Sequence, residues 1–175
     1  MRMIALSLVL AFAGTGLAQA AAQKSPTATA RISGLDGKVL GSAKFTQTGK
    51  GVLIDLDVKG IKPGPHGVHI HAVGTCDIKD KFMSAGGHFS PSPKNHGFMD
   101  KHGPHAGDMT NQFADANGNL RASILNTGVS LRRGERSLFD KDGSSIVIHA
   151  DADDYRSQPA GNAGGRIACG VIKRQ

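Results

Sequence analysis

Val52-Leu53-Ile54-Asp55-Leu56-Asp57-Val58 is the stretch of the chain that decides the fold. Valine, isoleucine and leucine occupy every second position from 52 to 58, and aspartates stand at 55 and 57. Successive side chains of a strand point to opposite faces, so this alternation predicts a β-strand with one face in a core. The opposite face, which carries the two aspartates, is predicted to lie in solvent.

Similar short runs recur on both sides of this strand, and turn residues separate them. Asp36-Gly37, Asn117-Gly118 and Asp142-Gly143 are dipeptides typical of hairpin turns. The predicted strands cover residues 30–35, 39–48, 52–58, 68–73, 114–116, 120–125, 144–150 and 166–172. Strands at this density, with no amphipathic segment of helical length, predict an all-β antiparallel sandwich or barrel.

Two long regions, Thr75 to Thr110 and Asp151 to Gly165, have no strand pattern. Loops of this length are usually functional or disordered. The first holds Cys76 and four candidate metal ligands, so we predict an ordered functional loop held in place by metal and a disulfide.

The N-terminus has the pattern of a secretory signal peptide over residues 1–20. A short basic start is followed by an apolar run over residues 4–13, and Ala18-Gln19-Ala20 has the form of a cleavage site. The apolar run is shorter than the roughly 20 residues that span a bilayer as a helix, so no membrane anchor is predicted. Cleavage after Ala20 would leave a flexible arm, 21–29, ahead of one domain, 30–175.

The charge of the chain argues against nucleic-acid binding. The formal net charge is +7, but Arg132-Arg133 and Lys173-Arg174 are the only adjacent basic pairs. The chain has one tyrosine and no tryptophan, so basic and aromatic residues are not interleaved. The surplus charge predicts either an ordinary solvated surface or attraction of a small anion.

Export changes the interpretation of the two cysteines, Cys76 and Cys169. In an oxidising compartment an isolated pair forms a disulfide more often than two free thiols. The predicted bond would tie the start of the long loop to the last strand.

Histidine is concentrated in the middle of the chain. Six of the eight histidines, with one aspartate, follow the order His69-x-His71, His88, His96, His105-x-x-Asp108 and His149. Residues two apart on a strand point to the same face, so His69 and His71 can hold one ion. With His149 from another strand and His88 from the loop, they would make a four-nitrogen site that suits copper, zinc, iron or nickel. The alternative is a scatter of surface histidines.

A second site is predicted from His96, His105 and Asp108. Completing four ligands with His88 requires that residue in both sites, and one deprotonated imidazole can do this with a nitrogen for each metal. Three imidazoles and a carboxylate suit zinc and leave no open tetrahedral position, which indicates a structural or tuning site.

In combination, four motifs resemble the copper/zinc superoxide dismutase family in its exported bacterial branch. They are Gly67-Val68-His69-Ile70-His71, Ala85-Gly86-Gly87-His88-Phe89, His105-Ala106-Gly107-Asp108 and the run from Gly161 to Ile172. The resemblance implies an eight-stranded Greek-key β-barrel, sandwich-like and with two long functional loops. It also implies conversion of superoxide to dioxygen and hydrogen peroxide, a periplasmic location, and a homodimer as one option that the family offers.

The resemblance implies roles for individual residues. Copper is implied on His69, His71, His88 and His149, and zinc on His88, His96, His105 and Asp108. Cys76 and Cys169 match the family disulfide. Arg166 matches the arginine that guides the anion to copper, and Asp153 matches the outer carboxylate that links ligands of the two metals. Copper would alternate between two oxidation states, and His88 would release it and carry a proton.

Some features depart from the family pattern. The stretch from Ala150 to Gly165 is compact and lacks a longer charged loop, so Lys94, Lys101 or Arg156 would have to supply steering charge. We expect His102 to face solvent, and His66 and Phe89 to have structural roles. Two rival functions stay open: a periplasmic copper or zinc buffer, and a zinc hydrolase, which needs an open coordination position.

Overall fold

The structure is a computed structural model that describes residues 24–175. The predicted signal peptide, its cleavage site and residues 21–23 of the predicted arm lie outside the described residues. In the part of the chain that is described, no helix is long and apolar enough to cross a membrane.

The described chain contains ten strands and one short 3-10 helix. The strands are β1 (Thr27–Gly34), β2 (Val39–Gln47), β3 (Val52–Val58), β4 (Gly64–His66), β5 (Val68–His71), β6 (Gln112–Ala114), β7 (Leu120–Asn126), β8 (Ser145–His149), β9 (Arg166–Val171) and β10 (Lys173–Arg174). The helix is Met83–Ala85. The all-β prediction is confirmed, and each of the eight predicted strands has a counterpart.

The strands form one antiparallel sheet that nearly closes into a barrel. Their order is β4-β6-β7-β3-β2-β1-β9-β8-β5, with β10 beside β1. The two ends of this order, β4 and β5, are separated in sequence by Gly67 alone, so the sheet edges meet. Neighbours such as β3 and β7, or β5 and β8, are far apart in sequence, as the predicted Greek-key connections require.

The burial pattern of β3 agrees with the prediction made from its alternating sequence. Val52, Ile54, Leu56 and Val58 are at most 2% exposed and belong to the core inside the barrel. Asp55 and Asp57 are exposed, and Asp57 lies 3.2 Å from Arg121 of β7. Because β3 pairs with both β2 and β7, its burial fixes the register of the central sheet.

Two strands correct the sequence prediction. β1 begins at Thr27, so residues 27–29 of the predicted flexible arm belong to the sheet; Ala28 is fully buried there. Alanine and threonine give only a weak strand pattern, which hid this start. The short strand β4 was missed because Gly64 and Pro65 interrupt strand patterns; Pro65 is tolerated at this end of the sheet order.

Two of the three predicted hairpin turns are present, and the third is not a hairpin. Gly37 and Gly118 have φ of 76° and 77°, and they join β1 to β2 and β6 to β7. β8 follows Asp142-Gly143 but pairs with β5 and β9. The reason is a third long connection, 127–144, in which no regular strand precedes the dipeptide. Its apolar residues Val129, Leu131 and Leu138 pack into the core.

Candidate metal centre

Strands β5 and β8 carry three of the candidate ligands. His69 and His71 lie on β5, which pairs with β8, and His149 is the last residue of β8. His88 comes from the long loop and forms an isolated bridge with His71. All four side chains are buried. One ligand-capable nitrogen from each lies within 4.8 Å of the others, and we call this set the four-histidine group.

Hydrogen bonds at the far side of each ring decide which nitrogen points into this group. Carbonyl oxygens only accept hydrogen bonds, so His71 Nδ1 donates to Gly86 O (2.9 Å) and His149 Nδ1 to Gly164 O (3.3 Å). Their Nε2 atoms are left inside, 3.4 Å apart. His69 is reversed: its Nε2 donates to Asp153 Oδ2 (2.8 Å), so its Nδ1 points inward.

A second set, which we call the Asp108 group, contains His88, His96, His105 and Asp108, again with ligand-capable atoms within 4.8 Å of one another. Asp108 Oδ1 lies 2.8, 3.1 and 3.3 Å from the Nδ1 atoms of His88, His96 and His105. The third contact is not aligned for a hydrogen bond. Asp108 Oδ2 accepts backbone N–H groups of Gly97 (2.9 Å) and His105 (3.0 Å), which fixes the carboxylate.

His88 belongs to both groups. Its Nδ1 lies in the Asp108 group, and its Nε2 faces the four-histidine group. His69 Nδ1, His88 Nε2 and His105 Nδ1 are buried without a hydrogen-bond partner among the described residues. Orphaned buried polar atoms are rare and destabilising, typically by about 1–3 kcal/mol each. A metal ion in each group would satisfy them, so the residues present fit two ions joined by one imidazole.

The carboxylate of Asp153 connects the two groups, because it accepts a hydrogen bond from one histidine of each. Its Oδ2 accepts from His69 Nε2, and its Oδ1 accepts from His96 Nε2 (3.0 Å). Asn111 holds the backbone of Asp153 on both sides, through Nδ2 to Asp153 O (2.9 Å) and Oδ1 from Asp153 N (2.8 Å). A Cβ on Gly161 would collide with Asp153 Oδ1, so glycine is required at that position.

Three imidazoles of the four-histidine group, those of His71, His88 and His149, are held neutral. Burial lowers the pKa of His88 to about 4 despite its bond with Asp108, and burial with repulsion from His69 lowers the pKa of His149 to about 3. Burial and repulsion from His88 hold the pKa of His71 well below its usual value. A neutral imidazole binds one metal ion without losing a proton, so His71 and His149 are ready to do so; His88 has to lose its remaining proton to serve two ions.

His96 behaves in the opposite way. Burial lowers its pKa, but hydrogen bonds with Asp108 and Asp153 outweigh burial and raise the pKa to about 9. Both ring nitrogens face carboxylates, so the metal-free ring carries two protons near neutral pH. Burial alone would raise the pKa values of Asp108 and Asp153, but contacts with histidines hold both well below the usual range.

Arg166 stands at the start of β9, opposite His149. Its two terminal nitrogens donate to Phe82 O and Gly86 O, each at 2.6 Å. It lines an open cavity of about 460 Å³, the imidazole cavity, together with His71, His88 and His149. Among the described residues it is the only lysine or arginine on this wall. Lys94, Lys101 and Arg156 do not line the cavity, so the expectation that they supply steering charge finds no support there.

A second cavity of about 500 Å³ lies beside the Asp108 group. It is lined by His105 and Asp108 but also by apolar residues such as Phe98 and Leu125. None of the rings of His69, His71 or His149 reaches it, so it does not give access to the four-histidine group.

The predicted disulfide is present: Cys76 and Cys169 are joined across 93 residues. Cys169 packs with Phe82 and Ala85, so the bond anchors the loop segment whose carbonyls Arg166 holds. Three smaller predictions also agree with the structure. His102 is exposed, Phe89 belongs to the core, and the ring nitrogens of His66 lie 2.7 Å from the carbonyl oxygens of His149 and Lys62.

We expect the native chain to be lighter than the reduced chain by two hydrogen atoms in non-reducing mass spectrometry. Cys169→Ser should lower the free energy of unfolding by about 2–5 kcal/mol, the usual loss for a native disulfide. It should also expose the loop around Phe82 to hydrogen exchange. Two alkylatable thiols in the native chain would contradict the assignment.

Sequence reasoning missed several residues that position the site. Gln158 exchanges two hydrogen bonds with the backbone of His96, at 2.9 and 3.0 Å. Asn111 holds Asp153, and the carbonyl of Gly86 serves both His71 and Arg166. No sequence signal identifies them, because each acts on a backbone group or a partner far away in the chain.

Known proteins to which this chain is similar include copper/zinc superoxide dismutases and proteins like them. The family model described as copper/zinc superoxide dismutase (SODC) matches residues 39–172. Superoxide dismutase [Cu-Zn] 2 of Aquifex aeolicus is 49% identical over 148 residues, which is 83% of this chain and 86% of the relative. Superoxide dismutase [Cu-Zn] of Caulobacter vibrioides is 44% identical over 150 residues, 84% of this chain and 86% of the relative. The crystal structure of a double mutant of a SOD-like protein from Bacillus subtilis has a TM-score of 0.79 and 37% identity, and covers 82% of this chain and 95% of that one.

Proposed function

We propose, because the chain belongs to the copper/zinc superoxide dismutase family, that it converts superoxide into dioxygen and hydrogen peroxide. One observation carries the proposal: two complete donor sets meet in a single imidazole, His88, beside an open cavity lined by Arg166. A metal-storage protein has no need of that shared ring or of a fixed cation at the mouth.

In this proposal the four-histidine group would hold copper, with His69 Nδ1 and the Nε2 atoms of His71, His88 and His149 as the available donors. Four imidazoles without a thiolate suit copper. Three of the rings stand on paired strands, and each of those three has its second nitrogen hydrogen-bonded. Such support keeps the rings in place, as an ion that changes its charge in every cycle requires.

The Asp108 group would hold zinc through three Nδ1 atoms and one carboxylate. This set is complete for tetrahedral zinc, so it leaves no position for a hydrolytic water. That count disfavours a zinc hydrolase. The remaining role for zinc would be to fix Nδ1 of His88 and, through His96 and Asp153, the orientation of His69.

Bound copper would supply one-electron chemistry, since it can take an electron from one superoxide anion and return it to a second. His88 Nε2 is the atom placed to hold a proton for the product, because its Nδ1 stays engaged in the Asp108 group. Arg166 would dock the anion: its guanidinium is fixed by two backbone carbonyls, and a fixed cation stabilises negative charge without rearrangement.

We also propose that the chain is exported to the periplasm. The pattern of residues 1–20 supports this, and so does the Cys76–Cys169 bond, because structural disulfides persist in oxidising compartments.

A superoxide-removal assay on the purified chain, with copper and zinc measured in the same sample, tests the function. We expect about one copper and one zinc per chain and activity that follows the copper content, given the two ligand sets. Full copper content without superoxide removal would instead identify a metal buffer. Ester or phosphate hydrolysis by the zinc-only form would identify a hydrolase.

Zinc binding should release a proton from His96. Below its raised pKa of about 9 the metal-free ring is doubly protonated, and zinc must replace the Nδ1 proton while Nε2 stays bonded to Asp153. The release should therefore be present near neutral pH and disappear as the pH rises through about 9. Calorimetric titration in buffers of different ionisation enthalpy measures it.

The matched variants are Asp153→Asn and Asp140→Asn. The first removes one of the carboxylates that raise the pKa of His96, so fewer protons should be released per zinc at neutral pH. The second neutralises an exposed aspartate outside the site and should leave the release unchanged. Equal proton release in the parent chain and in both variants would refute this account of His96.

A further inference from the structure

Met83 lines the imidazole cavity, in the loop segment that Arg166 holds by hydrogen bonds to Phe82 O and Gly86 O. The residue is 63% exposed. Among the described residues it contributes the only sulfur atom to the wall that also contains His71, His88 and His149. The mechanism proposed above makes no use of it.

The turn that carries Met83 is held on both sides. Met83 N donates to Asp80 O, and Gly86 N donates to Met83 O. Arg166 donates hydrogen bonds to the carbonyls of Phe82 and Gly86, which flank the turn. Phe82 is buried against the Cys169 disulfide. The backbone of Met83 is therefore fixed at the cavity mouth, although its side chain is in solvent.

The charge at the mouth suits an incoming anion and opposes an incoming metal ion. Arg166 repels any cation that passes it, and at equal distance the repulsion of Cu(I) is half that of Cu(II). Thioether sulfur is a soft, neutral ligand that selects Cu(I) over harder ions. A sulfur atom on the rim would therefore favour passage of copper in its reduced form.

We infer that Met83 is a docking ligand for Cu(I), which it passes to the ring nitrogens of the four-histidine group. The inference rests on the proposed copper site. The step is a ligand exchange: the bond from sulfur to Cu(I) breaks as bonds to imidazole nitrogens form, and copper keeps its oxidation state. Met83 then has no part in holding copper at equilibrium.

Uptake kinetics of the metal-depleted full chain test this inference, with Met83→Leu compared with Met99→Leu. Leucine preserves size and apolar character. Met99 is the matched control, because it is 61% exposed but does not line the imidazole cavity. Cu(I) is offered as its bicinchoninate complex without oxygen, and Cu(II) as its nitrilotriacetate complex; loss or gain of absorbance reports transfer.

Met83→Leu should slow Cu(I) uptake by about tenfold, the lower end of what loss of a supporting group near a metal costs. Cu(II) uptake and the final copper content should match the parent chain, and Met99→Leu should change neither rate. As a second measurement, Ag(I) added to metal-depleted chain with ¹³C-labelled methionine methyl groups should shift the Met83 signal and not that of Met99.

Unchanged Cu(I) uptake in Met83→Leu, or equal slowing for Cu(I) and Cu(II), would overturn the docking role. A shift of both methyl signals by Ag(I) would do the same, because it would indicate unspecific thioether binding. Failure of the proposed function is a separate result: the copper- and zinc-loaded parent chain would not remove superoxide, whatever the uptake rates are.

Discussion

His88→Ala should reduce superoxide removal by at least about 100-fold, more than the loss of a hydrogen-bond partner of a ligand costs. His88 is the only residue that belongs to both ligand groups among the described residues. Its loss leaves three ligands in each group and removes the link between them. Copper and zinc content should both fall, which metal analysis of the purified variant measures alongside activity.

His102→Ala is the matched control for that variant. His102 lies in the same long loop but is exposed, and neither ligand group contains it. Activity and metal content should stay near those of the parent chain. Equal losses in the two variants would mean that the zinc-side ligands are misassigned.

Arg166→Glu should give the second largest loss, because it replaces a cation at the cavity mouth by an anion that repels superoxide. Arg166→Ala should lower activity about tenfold or more, which corresponds to a charge-assisted contact of about 1.5–3 kcal/mol. Copper content should be retained in both, since Arg166 is not a ligand. The parent rate should also fall as ionic strength rises, because salt screens attraction of the anion, and this dependence should weaken in Arg166→Ala.

Arg156→Glu makes the same change in net charge away from the imidazole cavity and serves as the control. A small effect there and a large one at Arg166 would separate local guidance from overall charge. Arg166 also holds the loop through Phe82 O and Gly86 O, so a purely structural role would reduce activity without altering the salt dependence. Full activity of Arg166→Glu at full copper content would end the guiding hypothesis.

Most of the barrel could be predicted from the sequence because its signals are local. The alternation over Val52–Val58 and the turns at Asp36-Gly37 and Asn117-Gly118 need only neighbouring residues to be recognised. The prediction failed where the pattern was weak or the partner was distant. β4 has no apolar alternation and exists because β6 pairs with it. Asp142-Gly143 has hairpin composition, but no preceding strand is available to form one.

The sequence by itself determined the set of candidate ligands: six histidines and Asp108 at metal-binding spacing, and one pair of cysteines. These are chemical identities and short spacings, which do not depend on how the chain folds. They were enough to predict that one imidazole must serve two ions, because seven side chains otherwise leave one site incomplete.

Only the tertiary structure decided how those ligands are used. Which nitrogen of His69 or His149 points inward depends on Asp153, 84 residues from His69, and on the carbonyl of Gly164. The position of Arg166 depends on two loop carbonyls that lie 84 and 80 residues earlier in the chain. The orientation of each imidazole ring and the position of the guanidinium are set by the group to which each side chain donates a hydrogen bond. That neighbour is brought there by barrel closure and the disulfide, and spacing along the chain does not encode it.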